Sequence, residues 1–447
     1  MALTGIQIFK LLPKTNCGKC GVPTCLAFAM NLAAGKAELS ACPTVSEEAK
    51  AQLAEASAPP IKPVTIGVGE NAFKVGGETV LFRHEKKFEN PTAFAVLVTD
   101  AMPEKEVADR IEKFNKYIYE RVGLKLRAQA VALKCTTGDA GKFIALVDNV
   151  AKATSGALIL MCENVDILVA AARNIAARKP LLYTATKSNV DAFGGCAKEL
   201  NCPVAVRGNS LDEIAELTAA LEKCGIKDIV IDSGARTVKR VFQDQINIRT
   251  AALVKKFRPL GYPTITFPCE MTDDIMKQGM IASTLVAKYA GIVVLSDLPG
   301  EVLFPLAVER MNIFTDPQRP LATTPGIYEI GSPNENSPVL ITTNFSLTYF
   351  IVSGEIENSK VPSYLLVMDT EGLSVMTAWA AGKFVADLIA QFVKKSGIES
   401  KIKHRKLIIP GYSASESGGI EEELPGWEIL VGPREGSHIP AYLKNWK

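Results

Sequence analysis

Four cysteines near the N-terminus are the residues of this chain whose type and spacing most clearly indicate chemistry. Ten cysteines occur in 447 residues, and four of them form the pattern C-x2-C-x4-C-x16-C at Cys17, Cys20, Cys25 and Cys42. Four thiolates gathered by one compact loop are the ligands that a cubane iron–sulfur cluster requires. Gly18 and Gly21 allow tight turns between these ligands. The spacing therefore predicts a [4Fe-4S] cluster.

Structural zinc is the main alternative for the same thiols. Zinc sites of four cysteines usually contain two C-x2-C pairs, whereas this chain has one pair and two single cysteines. A disulfide framework does not suit a long chain without a secretion signal. The remaining cysteines lie singly in or beside apolar runs and are predicted to be core thiols, namely Cys135, Cys162, Cys196, Cys202, Cys224 and Cys269.

The overall composition limits the class of protein. The chain has 50 basic and 48 acidic residues, a net charge of +2 and a hydrophobic content of 47%. This balance does not favour nucleic acid or an anionic membrane as a partner. The sequence contains no secretion core and no apolar run of about 18 residues that would cross a membrane. We therefore expect a cytoplasmic protein of two or three domains.

Short helices are predicted to position the cysteine loop. Residues 4–12 have apolar side chains at helical spacing after the N-cap candidate Thr4, and a second helix is predicted between Cys25 and Gly35. A further helix is expected at 46–57. The proline-rich run 58–63 then predicts a semi-rigid linker, followed by short strands and turns at 64–90.

Eight apolar runs in the middle of the chain predict a barrel. They occupy 94–99, 128–133, 157–162, 180–185, 203–206, 228–232, 263–268 and 291–296, with amphipathic stretches between them. Eight buried strands alternating with helices are typical of a TIM barrel, with an open doubly wound sheet as the alternative. The strand ends carry polar residues that could form either a small-molecule site or an ordinary rim: Asp100, Lys134, Glu163, Arg207, Asn209 and Asp232.

A second α/β unit is predicted after a connection at 313–338 that contains five prolines. Its strands are expected at 339–344, 364–369, 406–410 and 428–432, with one long helix at 373–395. Small polar residues follow these strands, and carboxyl edges of such sheets form crevices for planar cofactors. No glycine-rich nucleotide motif follows a strand, so a nucleotide is not favoured.

Several segments resemble one known family. The runs NCGKCGVPTCLAFAMNLAAGKAELSACP, VLITTNFSLTYF, DTEGLSVMTAWAAGKF and GWEILVGPRE resemble the large (gamma) subunit of the corrinoid iron–sulfur protein of the reductive acetyl-CoA pathway and of the acetyl-CoA decarbonylase/synthase complex. The resemblance covers the whole chain. It implies a [4Fe-4S] domain at 1–57, a linker at 58–92, a TIM barrel at 93–325 and a Rossmann-like corrinoid-binding domain at 326–447.

The resemblance also implies ligands for both cofactors. The cluster would be held by the four N-terminal cysteines. The corrinoid would be held by residues at the ends of the C-terminal strands, which are Leu340, Thr343, Asn344, Ser346, Thr370, Glu371, Gly372, Leu373, Ser374, Gly411, Gly432 and Pro433. None of the three histidines, His84, His404 and His438, lies in the Asp-x-His-x-x-Gly motif that supplies a cobalt ligand in many corrinoid proteins. We therefore expect cobalt without a histidine ligand.

The function implied by the resemblance is that of a methyl carrier subunit rather than a stand-alone enzyme. Co(I) would accept a methyl group from methyltetrahydrofolate on a separate methyltransferase and deliver it to acetyl-CoA synthase. The cluster would reactivate Co(II) with electrons from a low-potential donor. A smaller barrel subunit would complete a heterodimer. Two alternatives remain open: a pterin-binding barrel methyltransferase, and an electron-transfer or reductive activator subunit for a corrinoid protein.

Overall fold

The structure is a computed structural model that describes residues 5–33, 37, 39–46, 49, 53 and 59–446. The N-terminal part contains helices α1 (Gly5–Leu11) and α2 (Cys25–Ala33), joined by the cysteine loop. Apolar side chains of both helices pack together with Cys25 and Cys42 in one small core. Thr4, Gly35 and most of the helix predicted at 46–57 lie outside the described residues.

The central part is a barrel of eight parallel strands. The strands of this part are β1 (Val64–Ile66), β2 (Phe73–Val75), β3 (Ala93–Thr99), β4 (Tyr119–Arg121), β5 (Leu124–Leu126), β6 (Ala130–Lys134), β7 (Ala157–Met161), β8 (Leu181–Ala185), β9 (Val204–Arg207), β10 (Ile229–Asp232), β11 (Ile265–Thr266) and β12 (Ile292–Leu295). Strands β1 and β2 form one antiparallel hairpin and β4 and β5 form another, whereas the other eight strands form the barrel. The sheet runs in the order β10-β9-β8-β7-β6-β3-β12-β11. A parallel bridge between Ile231 and Thr264 brings its two ends together. The predicted TIM barrel is confirmed.

Helices cover the outside of the barrel. They are α3 (Glu104–Lys116), α4 (Ala140–Ala153), α5 (Val165–Ile175), α6 (Val190–Leu200), α7 (Leu211–Lys223), α8 (Val238–Leu253), α9 (Ile275–Ala287) and α10 (Gly300–Ile313). Alternate residues of each strand face two separate cores, as the pleat of a strand requires. Phe94 and Val96 pack toward the helices, whereas Ala93 and Ala95 face the interior. Both faces of each strand are buried, which explains the continuous apolar runs in the sequence.

The segment predicted as a linker, 58–92, packs against the barrel where it is described. Strands β1 and β2 form an antiparallel hairpin, and Val64, Ile66 and Val75 are fully buried in the interior core of the barrel. Farther along, the Glu78 carboxylate lies 3.1 Å from Arg249 Nη2 in a buried ion pair. The hairpin therefore closes the end of the barrel at which the strands begin.

The C-terminal part is a five-stranded sheet. Its strands are β13 (Gly326–Ile330), β14 (Val339–Thr343), β15 (Ser363–Met368), β16 (Lys406–Ile409) and β17 (Glu428–Val431), and its helices are α11 (Ser346–Ser359), α12 (Val375–Ala380), α13 (Ala386–Ser396), α14 (Ser417–Glu423) and α15 (Ile439–Leu443). The order is β13-β15-β14-β16-β17, with β13 antiparallel and the others parallel. The four predicted strands and the Rossmann-like architecture are confirmed.

Two predictions for this part are wrong in detail. The single helix predicted at 373–395 is two helices, because Gly382 adopts a left-handed φ of 68° between α12 and α13. The break allows Phe384 to become fully buried in the core. The connection predicted at 313–338 contains the edge strand β13, which pairs with β15.

Candidate functional site

The cysteine loop is shaped by left-handed backbone positions. Gly18 and Gly21 have φ values of 68° and 82°, and an added Cβ at either would meet nothing within 4 Å. The Asn16 side chain accepts a hydrogen bond of 2.8 Å from the backbone N–H of Cys25. This bond joins the start of the loop to the first turn of α2, where backbone N–H groups have no helical partner.

Hydroxyl and backbone donors surround the thiols of the loop. Thr44 Oγ1 lies 3.6 Å from Cys42 Sγ, and Thr44 also makes a small contribution to the lowered pKa of Cys17. The backbone N–H of Lys19, together with Thr15, lowers the pKa of the Cys17 thiol. Hydrogen bonds to sulfur favour the thiolate, which is the form that binds metal. The thiols of Cys17 and Cys42 therefore share a polar partner.

Four thiols are the donor type that an iron–sulfur cluster requires, but the structure does not gather them around one point. Cys25 and Cys42 are 6% and 4% exposed within the small apolar core, and Cys20 packs against it. Cys17 is exposed. Among residues 5–33, 37, 39–46, 49, 53 and 59–446, no three His, Cys, Asp or Glu side chains are grouped closely enough to hold one metal ion.

The second candidate site is a crevice at the carboxyl edge of the C-terminal sheet. The chain leaves β14 toward β15 on one side and returns to β16 on the other, so the strand order reverses between β14 and β16. Ligands bind at such switch points in open α/β sheets. The crevice has a volume of about 220 Å³, and its lining includes Leu340, Thr342, Ile408, Gly432 and Pro433.

Buried hydroxyl groups without partners mark this crevice. The hydroxyls of Thr342, Thr343 and Ser413 are inaccessible and form no hydrogen bond within the described protein. Thr342 lines the crevice itself. An unpaired buried hydroxyl is costly, and each such group in a native protein calls for an explanation such as a ligand. A ligand with polar groups around an apolar body therefore fits this site.

Two glycines form the floor of the crevice. A Cβ on Gly411 would lie 2.6 Å from the carbonyl oxygen of Gly432 and 2.7 Å from the backbone nitrogen of Arg434. A Cβ on Gly432 would lie 3.0 Å from both Ile408 Cγ2 and Ile409 O. The turns after β16 and β17 consequently pack backbone against backbone, which leaves the space above them open.

Asn344 holds the turn after β15 in place. Its Oδ1 accepts hydrogen bonds from the backbone N–H groups of Thr370 and Gly372, each at 2.9 Å, and from the Thr370 hydroxyl at 3.0 Å. Its Nδ2 donates to Asp369 at 3.0 Å. The side chains of Asn344 and Thr370 are thus already paired with each other and with the turn, and neither lines the crevice.

The other predicted contact residues differ in position. Leu340 lines the crevice, Ser346 is buried beside Thr323, and Leu373 packs against the core. Ser374 bonds to Thr377 at the start of α12. Glu371 is exposed and pairs with Lys383. The sequence did not single out Thr342, Thr348, Ile351, Val375, Tyr412, Ser413 or Arg434, which line the crevice or carry its unpaired hydroxyls.

The mouth of the barrel is polar but internally paired. Buried Asp232 accepts hydrogen bonds from Tyr183 at 2.7 Å and from Arg236 at 2.8 Å. Glu270 pairs with Arg236 and with Lys134, the latter at 2.6 Å. Burial and the neighbouring Asp232 raise the pKa of Tyr183 well above its ordinary value. These groups satisfy one another, as expected for an ordinary rim.

The remaining rim residues are also held by local contacts. Arg207 pairs with Glu163 at 2.8 Å, and Asn209 bonds to Glu213. Asp100 accepts hydrogen bonds from Thr136 and Thr137; burial alone would raise its pKa, but these bonds lower it to about 2. The rim therefore shows no unpaired group of the kind found in the crevice.

The six remaining cysteines and the histidines have structural surroundings. Cys162 and Cys202 belong to the barrel core, Cys135, Cys224 and Cys269 pack against it, and Cys196 is half-buried. Burial raises the pKa of Cys135 and of Cys269 to about 12. His84 stacks on Phe82, and His404 contacts the Ser337 carbonyl at 2.9 Å. No histidine is among the residues that line the crevice.

Comparison with known proteins places the chain in a family. A family model described as CO dehydrogenase/acetyl-CoA synthase delta subunit matches residues 63–443, and a second, described as an Fe-S cluster, matches residues 12–44. The chain is 48% identical over 446 residues to the corrinoid/iron-sulfur protein large subunit of Moorella thermoacetica, covering 99% of both chains. This chain belongs to the corrinoid/iron–sulfur protein large-subunit family.

Archaeal members of the family carry a second description. The acetyl-CoA decarbonylase/synthase complex subunits gamma of Methanopyrus kandleri and Methanothermobacter thermautotrophicus are 34% and 35% identical to this chain, which is covered to 99% in both comparisons. The alignments include 97% and 99% of those relatives. The family resemblance found in the sequence is confirmed. None of the described helices is both long and apolar enough to cross a membrane.

Proposed function

We propose that the chain is the corrinoid-binding, cluster-bearing subunit of a methyl carrier in the acetyl-CoA pathway. Membership of the family over its full length supports this function. The observation that carries the corrinoid assignment is the crevice at the strand-order reversal, with its unpaired buried hydroxyls. The Fe-S family match at 12–44 includes all four predicted cluster ligands.

The residues of this chain provide the surroundings of both cofactors. When bound, the corrinoid supplies a cobalt nucleophile for methyl transfer, and the cluster supplies single electrons that return oxidised cobalt to that state. Thr342 lines the crevice, and Thr343 and Ser413 directly follow lining residues, so these hydroxyls would serve polar groups at the edge of a corrinoid. Gly411 and Gly432 keep the floor flat, and Ile351 and Ile408 provide apolar walls.

Among the residues that the structure describes, the crevice lining contains no histidine that could coordinate a metal ion. A bound cobalt would therefore receive no imidazole ligand from the crevice lining. The cluster loop lies in a separate small core, with Cys17 exposed to an electron donor. We also propose three partners for this chain. They are a smaller subunit, a methyltransferase that binds methyltetrahydrofolate, and acetyl-CoA synthase.

Corrinoid binding by a single-hydroxyl variant tests the proposal. Thr342→Val should raise the Kd for a corrinoid by about tenfold, because a hydrogen bond to the ligand of roughly 1.4 kcal/mol is lost. The corrinoid-free variant should be as stable as the parent or more stable, because the removed hydroxyl has no partner. Titration of the full chain with cob(II)alamin, together with thermal unfolding, measures both.

A matched control is available in the barrel. The Thr218 hydroxyl donates to the Pro259 carbonyl at 2.7 Å, so Thr218→Val should lower stability and leave the corrinoid Kd unchanged. An unchanged Kd in the Thr342 variant would contradict the assignment of the crevice. Stoichiometric binding of methyltetrahydrofolate to the isolated chain would support a barrel methyltransferase instead.

A further inference from the structure

We propose that Arg434 recognises the phosphate group between the corrin ring and the lower base of a corrinoid, and that it thereby selects complete corrinoids over cobinamides, which lack this phosphate. The inference rests on the proposed function, because the ligand is the corrinoid assigned to the crevice of the C-terminal sheet. It adds the residue and the chemical group by which one class of corrinoid is distinguished from another.

The crevice is almost without charge. Among the described residues that line it, only Arg434 has a side chain that is ionised at neutral pH. The other lining residues are aliphatic, are glycine or proline, or carry a hydroxyl group, as Thr342 and Thr348 do. A single guanidinium in such surroundings favours a ligand that carries one anionic group.

Arg434 has no anionic partner of its own. It is exposed and, within the part of the chain that the structure describes, forms neither an ion pair nor a side-chain hydrogen bond. The neighbouring Glu435 carboxylate instead accepts a 3.0 Å hydrogen bond from the Tyr412 hydroxyl. By contrast, Arg207 and Arg236 at the barrel mouth are both paired with carboxylates. The guanidinium of Arg434 is therefore available to a ligand.

The backbone around Arg434 is held in place before any ligand binds. The N–H of Gly411 donates to the Pro433 carbonyl at 3.1 Å, and the N–H of Gly432 donates to the Ile409 carbonyl at 2.9 Å. The guanidinium carbon of Arg434 lies 5.9 Å from the centre of the Tyr412 ring, which also lines the crevice. A group that is anchored beside the site loses less conformational freedom on binding.

The chemistry of a corrinoid supplies one matching group. The side chains around the corrin ring end in neutral amides, which suit the unpaired hydroxyls of Thr342 and Ser413. The phosphodiester that leads to the lower base carries one negative charge. The planar guanidinium of arginine forms two parallel hydrogen bonds with phosphate oxygens, so arginine is well suited to this group. Arg434 would therefore contact the phosphate, while the hydroxyls contact amides.

Two other roles of Arg434 predict different results. If the side chain only supported Tyr412 and the crevice wall, its removal would weaken the binding of every corrinoid to the same extent. If the lower base were recognised, a corrinoid with phosphate but without the base would bind no better than cobinamide. Recognition of the phosphate requires neither result, and it should weaken at high salt because an exposed charge is screened.

The experiment uses the full-length protein freed of corrinoid. Arg434→Gln and Arg434→Lys are compared with the control Arg173→Gln, which makes the same change on the surface helix α5, where Arg173 and Glu199 form an exposed pair at 3.1 Å. The probes are the Co(II) forms of cobalamin, cobinamide phosphate and cobinamide. Their Kd values are measured by titration at low and high salt, and thermal unfolding checks that each variant is folded.

We expect the parent and the Arg173 variant to bind cobalamin and cobinamide phosphate about tenfold more tightly than cobinamide at low salt, and less selectively at high salt. Arg434→Gln should lose this preference without a change in the Kd for cobinamide, and Arg434→Lys should keep part of it because the charge remains.

Three results would overturn the role of Arg434 and leave corrinoid binding in place. They are equal Kd values of the parent for all three probes, equal losses for all three in Arg434→Gln, and a cobinamide phosphate Kd equal to that of cobinamide. Failure of the folded parent to bind any of the probes would instead refute the proposed function.

Discussion

The side-chain oxygen of Asn344 accepts a 2.9 Å hydrogen bond from the backbone N–H of Thr370, and thereby joins the end of β14 to the turn after β15. The same oxygen accepts from Gly372 at 2.9 Å. Glu371 and Gly372 have φ values of 57° and 76°, so this turn requires support from outside. One buried amide therefore determines the shape of the turn that leads to Val375 on the crevice lining.

Replacement of this amide should weaken both the fold and the crevice. Asn344→Ala leaves the N–H groups of Thr370 and Gly372 buried without an acceptor, so we expect a loss of about 3 kcal/mol in the free energy of unfolding. Corrinoid retention after gel filtration should also fall. Asn358→Ala is the control, because Asn358 is exposed and makes only a 3.5 Å contact. Equal stability of the two variants would contradict this role.

The buried Glu78–Arg249 pair should respond to pH when it is broken. Burial raises the pKa of Glu78 and lowers that of Arg249, although each attracts the other. Arg249→Met leaves the carboxylate without its ion-pair partner and should cost about 3 to 5 kcal/mol near neutral pH. A carboxyl group whose folded pKa is raised contributes stability at low pH that is lost as pH rises through that value.

The penalty in Arg249→Met should therefore be smaller at about pH 5 than at about pH 8. Urea unfolding of the parent and variant at both values measures it. Glu78→Gln/Arg249→Met, which keeps an acceptor for the Glu89 N–H, should regain most of the loss. A penalty that does not change with pH would indicate that lost packing against Phe88 and Tyr289, and not charge, dominates.

Thiol reactivity should separate the cluster loop from the barrel. In cluster-free protein, iodoacetamide should label Cys17 first near neutral pH, because the backbone N–H of Lys19 and the Thr15 hydroxyl lower its pKa. Cys135 and Cys269, whose pKa values burial raises to about 12, should stay unlabelled. Peptide mass spectrometry after timed labelling measures the order, with urea-unfolded protein as the control. Early labelling of Cys135 would refute the contrast.

The two cofactors should have different roles: the corrinoid in methyl transfer, and the cluster in the recovery from Co(II). Cys20→Ala removes one of the four predicted cluster ligands, while the crevice lies in a different part of the fold. We expect the variant to retain corrinoid and, once chemically reduced, to accept and donate methyl groups at near-normal rates. It should fail to recover from Co(II) with a protein electron donor. Loss of single-turnover methyl transfer in the reduced variant, with corrinoid bound, would contradict this division.

The barrel could be predicted from the sequence because parallel strands buried on both faces produce continuous apolar runs. The edge strand β13 could not, because Gly326–Ile330 pairs on one side only and lies among prolines. The break after α12 was also missed, since Ala380 to Lys383 contains residues that a helix tolerates. Only the tertiary burial of Phe384 shows why the chain turns there.

The cluster ligands were predictable because their signal is the spacing of four identical residues. For the crevice, the sequence predicted only that it lies at the carboxyl edge of the sheet. It could not predict that the hydroxyls of Thr342 and Ser413 are buried without a hydrogen-bond partner, because that depends on the folded structure. Asn344 was predicted as a contact, whereas its hydrogen bonds indicate a support. A sequence gives the position of such a residue but not which of its bonds are already made.

The two glycines at the floor of the crevice should tolerate substitution poorly, whereas residues of the crevice walls should tolerate it well. Any replacement of Gly411 adds a carbon within 2.6 Å of the Gly432 carbonyl oxygen, so almost every coding mutation there would separate two turns. Ile351 and Tyr412, which line the crevice, are 48% and 47% exposed and can vary without disturbing that contact. Lineages that use corrinoids with different lower bases could therefore diverge in the walls while the floor stays fixed.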